Sequence, residues 1–280
     1  QSRLGSWPKR ITVLLLVVLW SLPTLGILIS SFRDARAITS TGWWTALFNP
    51  FQEDWTLINY EQVLGSENMA NAFINSLIVT IPSTVIPITV AAFAAYAFAW
   101  MRFPLRGTLF LLVVALLVVP LQMALIPVQQ LYSALGLNNT FVSVWLAHTA
   151  FGLPLAIFLL YNFISQLPGD LFETASIDGA THFQMFTKVV LPLSIPALAA
   201  FAIFQFLWVW NDLLVALTYL GGLPDQSVMT LELSRLVGGR GQQWHLLTAG
   251  AFITMLLPVT VFLLLQRYFV RGILAGSVKG

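Results

Sequence analysis

The sequence contains no cysteine among its 280 residues. Disulfide frameworks, thiolate metal sites and thiol nucleophiles are therefore excluded. Charged side chains are also scarce: they make up 9% of the residues, whereas soluble domains carry about 25%. Because a soluble surface must face water and 58% of this chain is hydrophobic, we expect most of its outside to contact lipid.

Several chemistries have no support in the sequence. The net charge is only +2, and the basic residues do not form the stripe that a nucleic-acid-binding surface needs. There is no G-x-x-x-x-G-K-[ST] phosphate loop, so we do not expect this chain to hydrolyse ATP. No metal-ligand spacing, catalytic triad or paired carboxylate accompanies His148, and we predict neither a catalytic residue nor a metal site. We expect His148 to be packed and hydrogen-bonded rather than a proton relay.

Long apolar stretches are abundant. A helix needs roughly 20 residues to cross a hydrocarbon layer of about 30 Å, and six stretches are long enough. The sequence therefore predicts an all-α integral membrane fold of about six transmembrane helices. The stretches are approximately residues 11–31, 73–101, 108–131, 141–165, 193–220 and 246–269.

The first stretch follows Arg3, Lys9 and Arg10, as the apolar part of a signal peptide would. Ile11–Ser31 is 21 residues long, too long for that part, and no small-residue cleavage site follows it. We expect a retained membrane helix.

Prolines recur within the apolar stretches. A membrane helix tolerates proline where neighbours or water satisfy the carbonyl groups that it frees. The number of these prolines favours bent helices around a pathway, although ordinary membrane-helix proline remains the alternative at any one position. They include Pro23, Pro82, Pro87, Pro120, Pro127, Pro154 and Pro258.

Lysine and arginine predict the orientation, because cytoplasmic loops carry an excess of both. With six spans the two termini share one side, which holds nine of the 13 basic residues. We expect that side to be cytoplasmic and the chain to be a multi-pass protein of the cell (inner or plasma) membrane. Its basic residues are Arg3, Lys9, Arg10, Arg102, Arg106, Lys188, Arg267, Arg271 and Lys279.

Two parts of the chain are expected. Residues 1–72 would form the first span and an outer loop, and residues 73–280 a core transmembrane domain with a cytoplasmic loop at 166–192. The first outer loop, 32–72, is rich in aromatic residues, which suits an interfacial belt or contact with a partner or sugar. A second outer loop, 221–245, contains the flexible sequence Gly238-Gly239-Arg240-Gly241.

The cytoplasmic loop has the local chemistry of two short helices. Asp170 is a candidate N-cap with Glu173 at the reciprocal position of a capping box. Asp178-Gly179 would end that helix, since glycine adopts the left-handed conformation. Thr181 and Gln184 form a second capping box, whose helix we expect to run to Val190 before Pro192 and Pro196 bend it into the next span. A surface hairpin without a task is the alternative.

These residues resemble the EAA loop of binding-protein-dependent ABC importer permeases. The resemblance rests on a glutamate followed by small residues, an Asp-Gly-Ala turn, a phenylalanine and a Leu-Pro pair. Thr174 departs from it, because alanine is usual at that position. The matching residues are Glu173, Ala175, Asp178, Gly179, Ala180, Phe186, Leu191 and Pro192.

Three further stretches resemble the maltose-type (MalG-like) carbohydrate permeases. Phe73-Ile74-Asn75-Ser76-Leu77 opens the second span, and Trp210-Asn211-Asp212 lies in the fifth. The C-terminal stretch from Gln266 to Gly280 is similar to the tail of the same permeases.

The resemblance implies a type I importer fold and a set of partners. These are a second permease that completes the pore, an ATPase dimer that holds ATP and Mg, and an extracytoplasmic sugar-binding protein. It does not decide between a disaccharide, an oligosaccharide, a monosaccharide and a polyol phosphate. An ion-coupled secondary sugar transporter is the main alternative, and an intramembrane enzyme is a weaker one.

The resemblance also assigns roles to residues. Phe183 and Phe186, three residues apart on one predicted helix face, would anchor the loop in the ATPase, while Glu173 would align it. The tail residues Gly276, Lys279 and Gly280 would reach toward the ATPase, unless the terminus is simply frayed.

The candidate substrate pathway comprises Asn75, Trp208, Trp210, Asn211 and Asp212. Asp212 is a carboxylate within a predicted span, where charge is costly and usually faces a cavity or a partner. The alternative is that Asn211 and Asp212 cap a break in the fifth helix. Gly238, Gly239, Arg240 and Gly241 are candidates for binding-protein contact, or else a plain connector.

Overall fold

The computed structural model describes residues 7–65, 68–238 and 243–275. The chain divides into two compact units. The first comprises Gln1–Ala72 and Glu232–Leu257, and the second comprises Phe73–Leu231 and Pro258–Gly280. The division expected from the sequence, residues 1–72 and 73–280, stays a prediction.

The described residues form helices and no β-strand, apart from an isolated antiparallel bridge between Arg33 and Trp55. The α-helices are α1 (Trp7–Ser31), α2 (Ala35–Ser40), α3 (Thr45–Phe48), α4 (Ile58–Gly65), α5 (Met69–Trp100), α6 (Arg106–Ala115), α7 (Leu121–Ala134), α8 (Phe141–Ile164), α9 (Gly169–Ile177), α10 (His182–Met185), α11 (Leu191–Trp210), α12 (Leu214–Leu220), α13 (Met229–Gly238) and α14 (Trp244–Ala275). Shorter turns are the 3₁₀ segments Leu116–Val118 and Pro224–Gln226 and the π segment Phe186–Val190.

Five of the described helices are long and apolar enough to cross a membrane, and a bent pair gives a sixth candidate. The predicted all-α membrane fold is therefore confirmed. The five are α1, α5, α8, α14 and the continuous helix from His182 to Trp210.

The bent pair covers the span expected over residues 108–131, and its break at Pro120 agrees with the bent helices that the prolines favour. The segment Arg106–Val118 meets Leu121–Ala134 at an angle of 103°. Proline disfavours a helical conformation at the residue before it and has no N–H for the helix. Val119, which precedes Pro120, is accordingly extended at φ −72° and ψ 114°.

The fifth predicted span, 193–220, is also interrupted. Helix α11 ends at Trp210, and α12 begins only at Leu214. The side chain of Asp212 supports this break, as described with the candidate site below.

Helix α5 carries two prolines whose missing N–H groups are replaced from neighbouring helices. In an α-helix each N–H bonds the carbonyl four residues earlier, so Pro82 frees the carbonyl of Ile78 and Pro87 frees that of Ser83. The indole Nε1 of Trp145 donates to the Ile78 carbonyl at 2.9 Å. The amide Nε2 of Gln205 donates to the Ser83 carbonyl at 3.0 Å. These bonds tie α8 and α11 to α5 beside its two prolines.

Gln205 needs room to reach α5. It is 2% exposed, and its Nε2 also lies 3.3 Å from the carbonyl of His148 on α8. Gly152 supplies the space, because a Cβ there would lie 2.6 Å from the side-chain oxygen of Gln205. Gly152 and Gln205 together bring α5, α8 and α11 into close contact.

In the first unit, the aromatic loop predicted over residues 32–72 is held by a buried arginine. Arg33 is 1% exposed, forms an ion pair with Glu53 and donates to the carbonyls of Ala37 and Thr41. Several aromatic rings of the loop remain outside this packing: Phe51 is fully exposed and Phe48 is 80% exposed. Such rings suit either the interfacial belt or the partner contact expected from the sequence.

We predict that Gln205→Met destabilises the protein, because it keeps an unbranched side chain of similar length but leaves the Ser83 carbonyl without its donor. A buried unsatisfied polar group costs about 1–3 kcal/mol, and unfolding of the purified protein in detergent would measure the loss.

The matched control is Pro87→Ala in the Gln205→Met background, since residue 87 then supplies its own N–H to Ser83. Part of the lost stability should return. If the double variant is no more stable than Gln205→Met, the freed carbonyl is not the cause.

Candidate functional site

The loop between α8 and α11 begins with a proline-led helix. Pro168 occupies the N-cap position of α9 with ψ 130°, and no side chain caps that end. Asp170 lies inside the first turn, so the predicted cap at Asp170 and its capping box with Glu173 are wrong. The extended Pro168 lets Gly169 begin the helix two residues earlier than expected. The Asp170 carboxylate still lies near the helix N-terminus, where negative charge is favourable.

The turn between α9 and α10 follows the sequence prediction. Gly179 has φ 76°, and the N–H of Ala180 donates to the carbonyl of Ala175 at 2.9 Å. Together with the bond from Gly179 N–H to the Ser176 carbonyl, 3.1 Å, this is a Schellman ending, which favours glycine at the left-handed position. The turn is thus specified locally.

The capping box at the start of α10 is confirmed. The N–H of Gln184 donates to Thr181 Oγ1 at 3.3 Å, and the N–H of Thr181 donates to Gln184 Oε1 at 2.8 Å. Both orphan amides at this helix start are thereby satisfied.

The helix that begins at His182 does not end at Val190 as predicted. It passes through the π segment Phe186–Val190 and continues directly as α11. Pro192 cannot donate to the carbonyl four residues earlier, at Lys188. The wider hydrogen bonding of the π segment and the place of Pro192 in the first turn of α11 accommodate that missing donor. The loop is therefore a rigid extension of the span.

The two phenylalanines expected to dock together lie in different environments. Phe183 is 67% exposed, but Phe186 is only 4% exposed and stacks on Phe93 of α5 with ring centroids 4.4 Å apart. The predicted role of Phe186 as an anchor for a partner is therefore wrong, because its surface is already buried within the chain. Ile177, which the sequence argument missed, is 86% exposed. Phe183 and Ile177 flank the Gly179 turn and form the apolar face of the loop.

Three aromatic residues of α5, Phe93, Tyr96 and Trp100, hold this loop from within; we name them the aromatic clamp. Trp100 stacks on Phe172 of α9 with centroids 3.7 Å apart. The hydroxyl of Tyr96 lies 2.9 Å from Nδ1 of His182.

The aromatic clamp reaches every helical piece of the loop, because Phe93 stacks on Phe186 in the π segment. The sequence argument missed it, although the spacing of three and four residues between the three clamp residues places them on one helix face.

The candidate pathway residues have mainly structural contacts. Asn75 is 8% exposed, and its Nδ2 donates to the carbonyls of Asp225 and Ser227, each at 2.9 Å. Trp210 is 2% exposed and meets Phe73 edge-on at 5.6 Å.

Trp208 is more open than Trp210. It is 36% exposed and meets His148 edge-on at 4.9 Å. It lines an open apolar groove with Pro154 and residues of the broken third span.

Asp212 lies at the break in the fifth span. Its Oδ2 accepts from the N–H groups of Val215 and Ala216 at 3.0 and 3.1 Å. Its backbone carbonyl accepts from Thr230 Oγ1 at 2.7 Å. This geometry is that of a helix start held by a carboxylate, the alternative that the sequence left open. Asn211 is exposed, and its Nδ2 donates to the Leu207 carbonyl at 2.8 Å.

His148 lies beside Asp212. The imidazole is 1% exposed, its Nε2 is 3.7 Å from Asp212 Oδ2, and its Nδ1 has no hydrogen-bond partner among the described residues. The prediction of a packed histidine is confirmed, and the ring faces the Asp212 carboxylate through Nε2. A cavity of about 10 Å³ lies beside the pair, about the space that one water molecule needs. A sugar does not fit there.

Some predicted residues lie outside the described part of the chain. They are Gly239, Arg240 and Gly241 of the second outer loop and Gly276, Lys279 and Gly280 of the tail. Gly238 is described, and it ends α13. Within the described ranges no group of three or more His, Asp or Glu side chains could hold a metal ion.

Comparison with known proteins gives relatives along almost the whole chain. The osmoprotective compounds uptake permease protein GgtD of Synechocystis is 60% identical over 97% of this chain and 92% of that protein. The alpha-glucoside transport system permease protein AglG of Rhizobium meliloti is 43% identical over 98% of this chain and 97% of that protein.

The fold also has a solved counterpart. A chain in the crystal structure of a bacterial ABC transporter involved in the import of the acidic polysaccharide alginate superposes with a TM-score of 0.76 at 19% identity, covering 96% of this chain and 99% of that one. A second structure, of a bacterial alginate ABC transporter in complex with an alginate pentasaccharide-bound periplasmic protein, gives a TM-score of 0.66 at 16% identity. At these identities the likeness concerns the fold alone.

Residues 87–275 match the family described as binding-protein-dependent transport system inner membrane component. This range includes the capped loop, the interrupted fifth span and α14. The chain therefore belongs to that family and is a multi-pass permease of an ABC importer.

Proposed function

We propose that this chain is the permease subunit of an ATP-driven, binding-protein-dependent carbohydrate importer and forms half of the translocation pore with a second permease. The observation that carries the proposal is the rigid, capped loop between α8 and α11. It presents Phe183 and Ile177 outward while its other side is fixed to α5. An outward apolar face on an otherwise satisfied loop is suited to a protein partner.

The partner proposed for this face is an ATPase dimer, which would hold the ATP and Mg. This chain has no phosphate loop of its own, so hydrolysis belongs to that partner and the chain is non-catalytic. In this arrangement the loop and both termini are cytoplasmic. The tail residues Gly276, Lys279 and Gly280 would reach the same partner.

Phe183 is the proposed anchor in place of Phe186. Burying a phenylalanine side chain contributes about 1.5–3 kcal/mol, whereas an exposed ion pair made by Glu173 would contribute about 0–1 kcal/mol. The apolar contact therefore supplies affinity, and Glu173 sets alignment.

The proposed substrate is a small hydroxyl-rich solute, either a sugar or a related osmoprotective compound. The relatives support this class by their names, which refer to osmoprotective compounds and to alpha-glucosides. Selection would rest chiefly with an extracytoplasmic binding protein, and the loop around Gly238 is the proposed contact for it.

The proposal is tested by reconstituting the chain with its second permease and ATPase in vesicles. Uptake of sugar should require ATP and the binding protein. Accumulation driven by an ion gradient without nucleotide would instead support a secondary transporter. His148 and Asp212 give little support to a secondary transporter, because the Asp212 carboxylate already accepts hydrogen bonds from the α12 amides.

We predict that Phe183→Ala releases the ATPase. Loss of the exposed ring should weaken association about tenfold or more, as the burial of one phenylalanine implies, and copurification with the ATPase measures it. Ile177→Ala should act in the same direction.

Phe51→Ala is the matched control for Phe183→Ala, since Phe51 is also exposed but belongs to the first outer loop. It should leave ATPase association unchanged. Full copurification of the Phe183→Ala chain would remove the anchor role.

We also predict that Asp212→Asn lowers stability without changing affinity for sugar, because the Asp212 carboxylate supports α12 rather than the pathway. Charged acceptors make hydrogen bonds worth about 1.5–3 kcal/mol, part of which the neutral amide loses. Unfolding in detergent and the sugar concentration for half-maximal uptake separate the two effects. A changed half-maximal concentration with unchanged stability would place Asp212 in the pathway.

A further inference from the structure

Helix α5 meets the loop between α8 and α11, residues 166–190, at one end; under the proposed function this segment is the coupling loop. There the aromatic clamp stacks Trp100 on Phe172 at 3.7 Å, and Nε1 of Trp100 donates to the carbonyl of Ile164 at 3.0 Å. Trp100 thus joins the end of α5 to the end of α8 and to the first helix of the loop. Since Phe172 is only 7% exposed, the loop cannot shift far without moving α5 or breaking this contact.

The opposite end of α5 is joined to a different segment, residues 225–229. The Asn75 amide donates to the carbonyls of Asp225 and Ser227, and the N–H of Met229 donates to Ser76 Oγ at 2.9 Å. We name this contact the asparagine anchor. It fixes the start of α13, which leads toward the Gly238 loop proposed to contact the binding protein.

The middle of α5 is hydrogen-bonded to neighbouring helices. Both carbonyls freed by its prolines are bonded to other helices, as described above for Ile78 and Ser83. From Asn75 to Trp100 the helix rises about 1.5 Å per residue, a span of about 38 Å, which exceeds the hydrocarbon thickness of about 30 Å. One continuous helix therefore connects the two anchored ends across the membrane.

We propose that α5 is the element that links binding-protein docking to the ATPase, with Asn75 and Trp100 as positioning residues at its two ends. The inference rests on the proposed function. The inference adds that one helix carries the coupling within this chain, and it names the residues that attach that helix at each end. A movement at the asparagine anchor displaces α5, and the aromatic clamp passes that displacement to the coupling loop.

Coupling of this kind is reciprocal, since a free energy of interaction between two sites acts in both directions. Nucleotide binding by the ATPase, acting on the loop, would therefore also move the segment 225–229. The alternative is that the two contacts have separate, local roles. Their effects on coupling would then be independent of each other.

The test is a double-variant cycle on the assembled transporter in vesicles. The variants are Trp100→Ala, Asn75→Ala and the pair together, with ATPase activity measured with and without the binding protein. Each single variant should lower the stimulation by the binding protein about tenfold, within the range of typical coupling energies, and leave unstimulated ATPase activity unchanged. The double variant should be no worse than the more severe single one, because both cut the same link.

Matched controls remove a similar side chain elsewhere. Trp20→Ala changes a tryptophan that is 79% exposed on α1, and Asn162→Ala changes an exposed asparagine on α8. Both should retain stimulation. Trp100→Phe keeps a ring to stack on Phe172 and should recover most of the stimulation. If Trp100 only filled space, Trp100→Phe would stay impaired like the other variants.

Two results overturn the inference: full stimulation in both single variants, or losses that multiply in the double variant to about a hundredfold. If the truncated chains do not assemble, Tyr96→Phe and Ser76→Ala replace them in the same cycle, each removing one oxygen atom. Failure of the unmodified assembly to couple ATP hydrolysis to uptake would instead overturn the proposed function. Normal coupled uptake with multiplying losses would overturn only the role of α5.

Discussion

The structure depends on one constraint of the bilayer: a backbone carbonyl that loses its helical partner must find another donor inside the protein. Pro82 and Pro87 create two such carbonyls on α5. Trp145 and Gln205 satisfy them from α8 and α11. Each proline therefore requires a donor side chain from a particular neighbouring helix beside it. The three central helices of the second unit are joined at these points.

The same requirement explains why the loop between α8 and α11 is stiff. Its turn has a Schellman ending, its second helix has a complete capping box, and its π segment accommodates the donor that Pro192 lacks. A loop with its backbone satisfied in this way can transmit force, since it has few alternative conformations of similar free energy. Its exposed apolar residues then remain available for a partner.

Local features of this site could be predicted from the sequence. The Gly179 turn and the Thr181–Gln184 box depend on residues within a few positions of one another, and both were predicted correctly. Asp170 was not, because Pro168 begins α9 earlier than a side-chain cap would. Pro120 favoured a bend in the third span, but hydropathy predicted neither the angle of 103° nor the separation into two helices.

Contacts between distant segments could not be predicted in this way. Phe183 and Phe186 have the same residue type and helical spacing, but only Phe186 meets Phe93 of α5. Asn75 was named a pathway residue within a stretch that resembles maltose-type permeases, but the carbonyl groups that its amide binds lie about 150 residues further along the chain. The spacing of the three aromatic residues on α5 was visible in the sequence, but their contact with the loop between α8 and α11 was not.

The π segment Phe186–Val190 has a consequence for how such permeases can vary. A π turn holds one residue more than the α-helix it interrupts, and one residue corresponds to about 100° of rotation in an α-helix. The rotation of the loop between α8 and α11 relative to α11 is therefore set by this single surplus residue. Without that residue, the loop would turn a different face outward, and the carbonyl that Pro192 leaves without its donor would need another partner.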